Sequence, residues 1–186
     1  MTQPQPGEQL VGAYLRVVEE CDLVTYNQRS AERGDQTELD VLGVKSTPEG
    51  QRILACEVVT HLDGQLYSGT PSTDEWTAYG NASYQYSLER ISEKFERVVD
   101  YLDVVFDDLS LAELQLWSPY VSEGHQTEGL AAVVERAEAR HEPSVRLVIN
   151  DDYTERIEAL RDAAAASSKD YGETGFRFLQ ILEGMR

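Results

Sequence analysis

Between Gly7 and Glu20 the apolar residues Leu10, Val11, Tyr14, Val17 and Val18 recur at helical spacing. A short strand, LVTYNQR (Leu23 to Arg29), follows, and the polar loop SAERGDQ leads into a hairpin. Its arms are TELDVLGV (Thr37 to Val44) and RILACEVVTHL (Arg52 to Leu62), joined by the turn KSTPEGQ, where Pro48 and Gly50 supply turn chemistry. The stretch from Asp63 to about Ser83 is polar and rich in Gly, Ser and Thr, long enough to read as a functional or mobile loop. A helix is predicted over Tyr84 to Phe106, where Leu88, Ile91, Phe95, Val98 and Leu102 form one stripe. Strand Ala112 to Val121, helix Thr127 to Arg140, strand Ser144 to Asn150, helix Thr154 to Ala166 and a short helix Glu173 to Leu182 complete the chain.

The hairpin calls for antiparallel pairing, and the later strand–helix alternation calls for parallel crossovers. The expectation is one α/β domain over residues 7–186, with a mixed central sheet flanked by helices, behind a disordered lead-in at residues 1–6. A chain of 186 residues is long enough to bury a substantial core.

Composition adds two points. No apolar run is long enough to span a membrane, and the opening MTQPQPGEQL has neither the basic nor the apolar segment of a secretory signal. Cys21 and Cys56 both lie in apolar surroundings and read as buried free thiols, which suits a cytoplasmic location. The second point is charge. Thirty-four acidic against sixteen basic residues give a net charge of −18. Such a surface repels nucleic acid at long range and suits a basic protein partner, although it leaves room for a local basic patch.

Candidate chemistry lies in the hairpin. Asp40 sits mid-way along the first arm and Glu57 in the second, within the apolar run Ile53 to Val59. Neighbouring antiparallel strands lie about 5 Å apart, so both carboxylates can converge on one edge of the sheet. Burying Glu57 without a partner is costly, which favours a site role for it. Two carboxylates in that arrangement suit Mg²⁺ or Mn²⁺.

This layout resembles the PD-(D/E)xK superfamily, the restriction-endonuclease-like fold. The matching segments are ELDVLG (Glu38 to Gly43) and ACEVV (Ala55 to Val59), preceded by the helix GEQLVGAYL (Gly7 to Leu15). The resemblance implies an αβββαβ core with extra C-terminal β-α elements. It also implies a metal-dependent endonuclease hydrolysing DNA phosphodiester bonds. Asp40 and Glu57 would be the metal carboxylates and Glu8, on the leading helix, an additional acid, though Glu8 equally suits helix capping. The family pattern wants a lysine two positions after Glu57, where this chain has Val59. Some members supply that lysine from the helix after the hairpin, and Lys94 is the candidate here. At about 100° per residue it lies roughly 70° from the centre of the Leu88–Leu102 stripe. Gln36 and Tyr67 are further candidates to line the same cleft, and His61 stands at the strand end. The competing expectation is a nuclease-fold subunit without catalysis, acting as an acidic protein-interaction or regulatory module. A homodimer is implied by the resemblance alone.

Overall fold

In the computed structural model, residues 3–29 and 38–185 are described. Helix α1 (Pro6–Val17) is followed by β1 (Leu23–Arg29), β2 (Glu38–Thr47), β3 (Gly50–Val58), α2 (Ala82–Val105), β4 (Ala112–Ser118), α3 (His125–Arg140), β5 (Ser144–Ile149), α4 (Asn150–Ala166) and α5 (Thr174–Glu183). The five strands form one open sheet in sequence order. Pairings β1–β2 and β2–β3 are antiparallel, whereas β3–β4 and β4–β5 are parallel. The fold is thus α/β with a mixed five-stranded sheet.

Strand alternation divides the apolar residues between two layers. On one face Leu42, Ile53, Ala55, Leu114 and Leu116 pack with the α2 stripe and with Leu130 and Val133 of α3. On the other, Val41, Leu54, Cys56 and Trp117 pack with α1, α4 and α5 through Val11, Leu15, Leu160 and Phe176. The helix stripe read from the sequence is the buried one: Leu88, Ile91 and Leu102 are fully enclosed. Asn81 caps α2 by accepting from the Tyr84 N–H at 3.0 Å. Both cysteines are buried and free. Arg156 of α4 is buried against the rings of Tyr14 and Trp117 and pairs with Asp152 and Glu19, tying α4 to α1.

Among the boundaries that differ from the sequence reading, two lie in the hairpin. The hairpin turn shrinks to Pro48 and Glu49, because Thr47 and Gly50 already pair and Gly50 adopts φ 141°, a conformation glycine takes without strain. The second arm stops at Val58 rather than Leu62, which leaves His61 in the following loop. No described helix is long and apolar enough to cross a membrane.

Candidate functional site

The site forms where the sheet splays. The β2–β3 ladder runs from Thr47–Gly50 to Val41–Cys56 and ends there. One residue further on, Asp40 and Glu57 are the next facing positions. Instead of a main-chain carbonyl, the Asp40 carboxylate accepts the Val58 N–H, at 2.8 Å through Oδ2. Asn27 of β1, opposite Asp40 in the register, takes φ 52° and interrupts the β1–β2 ladder at the same level. The break exposes a cleft of about 300 Å³ whose lining includes Glu8, Asn27, Asp40, Glu57, Tyr67 and Lys94.

Glu57 lies at the centre of this cleft and is only 2% exposed. The Lys94 ammonium bonds its Oε1, and the Tyr67 hydroxyl donates to the same oxygen at 2.9 Å. The Lys94 Nζ also lies 5.5 Å from the centre of the Tyr67 ring. The other oxygen, Oε2, is buried with no hydrogen-bond partner among the described residues. Burial, reinforced by the negative charge of Asp40, pushes the Glu57 carboxyl up to about 7, against the opposing pull of Lys94 and Tyr67. Burial followed by the Glu57 charge raises the Tyr67 phenol, so it acts as a donor throughout the physiological range.

The cation reaches the site from α2 because of its angular position. Lys94 sits between the buried Ile91 and Phe95 and is half-buried at the edge of the stripe. At the motif position, Val59 is 4% exposed in the apolar core, with its N–H bonded to the Trp117 carbonyl at 2.9 Å. Val59 also lines the cleft, so the motif position borders the site but brings no charge to it.

Glu8 serves two ends. It is buried at the first turn of α1, accepts the Gln5 N–H at 3.0 Å and lines the cleft. Gly7 brings this helix end onto the strand, since a Cβ at that position would lie 2.2 Å from Thr60 Cγ2. Thr60 and His61 also line the cleft.

Tyr67 comes from the long loop between β3 and α2, which is anchored at several points. The Tyr67 N–H donates to Ser87 Oγ at 3.1 Å, and that hydroxyl is 2.9 Å from the Tyr67 carbonyl. Ser72 bonds the buried Glu89 through its N–H at 2.8 Å and through its hydroxyl. Trp76, 1% exposed, packs 4.2 Å beneath the Arg136 guanidinium of α3. Gln36 lies outside the described residues.

The structure therefore brings Asp40, Glu57, Lys94, Glu8 and the further candidate Tyr67 to one cleft, and adds Asn27. The signal for Asn27 was an asparagine inside a strand, a residue type that tolerates positive φ. Tyr67 had no periodic signal, because loop residues are placed by long-range bonds.

Among the described residues, no group of three or more His, Cys, Asp or Glu side chains is arranged to hold a metal ion. The donor set facing the cleft is nevertheless one that a hard cation accepts. Mg²⁺ is commonly held by one or two carboxylates and completes its shell with water and substrate oxygens. Asp40 and the partnerless Oε2 of Glu57 fit that limited demand. No protein-family model matches the chain, and no curated protein or solved structure matches it either.

Proposed function

We propose that this protein is a metal-dependent endonuclease of the restriction-endonuclease-like fold, hydrolysing phosphodiester bonds in DNA. The observation that carries this reading is the contact between Lys94 and Glu57 in a cleft shared with Asp40 and Glu8. It supplies a cation from the helix after the hairpin, where the resemblance leaves a gap at Val59.

Asp40 and Glu57 would hold Mg²⁺ or Mn²⁺, which when bound supplies Lewis-acid polarisation of the phosphate and a more acidic water. The remaining work falls to the protein. Lys94 carries its positive charge toward the position of the phosphate oxygens and stabilises the charge that builds there. Tyr67 holds Glu57 Oε1 and limits the rotamers open to it. Glu8 fixes the entry turn of α1 and adds a carboxylate that can orient water at the cleft wall.

The test is Mg²⁺- or Mn²⁺-dependent cleavage of several DNA forms by purified protein, with Glu57→Gln as control. Cleavage that needs the metal and disappears in the variant supports the proposal. Cleavage equal in both proteins, or none in either, refutes it.

A second reading, a nuclease-fold subunit without catalysis, is favoured by one observation. The lysine lining the cleft is already bonded to Glu57, on a chain of net charge −18. In that case the acidic surface binds a basic protein partner, and Glu57→Gln leaves that binding unchanged.

A further inference from the structure

The charge of this chain and the composition of its cleft bear on what kind of phosphodiester could enter. Duplex DNA carries one negative charge per roughly 1.7 Å of its axis, and proteins that track it do so with lysines and arginines free to meet phosphates. Here, apart from Arg29 and Lys169, every described lysine and arginine lies within 4.0 Å of a carboxylate. Arg29 is itself engaged in an interaction, and Lys169 lies over the Tyr171 ring near α5. Forming phosphate contacts would mean breaking these pairs on a surface that already carries −18.

The cleft repeats this pattern at short range. Among the described residues that line it, Lys94 is the one lysine or arginine, set among the carboxylates Glu8, Asp40 and Glu57 and the polar side chains of Gln3, Gln5, Asn27 and Thr60. Its volume of about 300 Å³ matches a ligand of one to two nucleotides. Uncharged polar side chains of this kind recognise bases by hydrogen bonding and add no charge.

We infer that the substrate of this site is a short phosphodiester of low charge, of the dinucleotide class, rather than a polymer held along its backbone. The inference rests on the phosphodiester hydrolysis proposed above and departs from its polymeric DNA substrate, so a cut dinucleotide beside uncut duplex upholds it and overturns the endonuclease. In the reaction, a water oxygen bonds to phosphorus and one P–O ester bond breaks. The proton released by the water ends on the departing alkoxide, so that a phosphomonoester and an alcohol result.

Electrostatics gives the test a distinctive sign. A nuclease with a basic footprint loses affinity for duplex as salt rises. This protein repels duplex, so salt screens the repulsion and duplex binding improves or stays flat. The experiment measures binding of thymidine dinucleotide, a single strand and a duplex of mixed sequence in Ca²⁺, between about 50 and about 200 mM salt. Hydrolysis of the same substrates and of bis(p-nitrophenyl) phosphate is then measured in Mg²⁺. The expected result is dinucleotide binding at least about tenfold tighter than duplex binding at low salt, lost in Asp40→Asn. That variant retains an acceptor for the Val58 N–H. Duplex bound more tightly than dinucleotide at low salt, with affinity falling as salt rises, overturns the inference. Dinucleotide binding without hydrolysis of any diester refutes the hydrolytic reading and upholds the short-ligand preference. Failure to bind or cut any of them refutes both.

Discussion

Replacing Glu57 by glutamine should stabilise the metal-free protein, and by an amount that depends on pH. The carboxyl is buried and faces Asp40, which raises it from 4.5 to about 7. A group raised by folding contributes its full stability below its unfolded value, near 4.5, and loses that contribution as pH rises through about 7. A displacement of this size corresponds to about 3 kcal/mol between the acid limit and pH above 7. At 2% exposure, solvent screening removes little of it. Glutamine keeps the shape and an acceptor for Lys94 and Tyr67 but does not ionise. The stability difference, variant minus wild type, should therefore be small near pH 4 and reach on the order of 3 kcal/mol in favour of the variant by pH 8. For a chain of this length that is a rise in Tm of roughly 6–12 °C. The assay is urea unfolding of both proteins in chelator across this pH range. A difference that stays flat with pH, or that favours the wild type increasingly above pH 5, refutes the argument. Its success would mean that the fold tolerates an ionised carboxylate that destabilises it, as functional sites do.

Lys94→Met should lower metal-dependent cleavage by about 100-fold or more, measured as kcat on a small diester, since it removes a charge-stabilising group from the cleft. Tyr67→Phe deletes the 2.9 Å bond to Glu57 and should cost about 1 kcal/mol in chemical unfolding. Gly175→Ala forces a Cβ to within 2.5 Å of the Gln9 carbonyl oxygen, which is backbone and cannot swing aside; separation of α1 and α5 should lower stability by about 1–3 kcal/mol by urea titration. Trp76→Ala empties the anchor beneath Arg136 and should cost about 3–5 kcal/mol. Limited proteolysis of that variant should cut first between β3 and α2.

Much of the fold was legible because the relevant signals are periodic. The α2 stripe from Leu88 to Leu102 and the apolar run from Ile53 onward each name a burial face without outside help. The end of β3 was not legible. Val59 to Leu62 has strand-like composition, yet pairing stops because Asp40 rather than a carbonyl meets the Val58 N–H, and composition carries no trace of that. The pairing of Lys94 with Glu57 was half legible. The helix phase points Lys94 toward the edge of the stripe, but which strand lies beneath it is a matter of packing between elements 37 residues apart. Asn27 was missed because its meaning lies in a single dihedral angle, whereas Tyr67 was named as a candidate but an aperiodic loop gave no phase to place it.

The splay between β2 and β3 has a consequence for how relatives of this chain should be read. Asp40 fastens the end of the sheet, so its loss would strand an amide whether or not any chemistry occurs nearby. A descendant that had given up catalysis would still gain by keeping it. Glu57 is in the opposite position, because its charge is a burden once it has nothing to bind. Persistence of the aspartate is therefore uninformative, whereas persistence of the glutamate is a record of use.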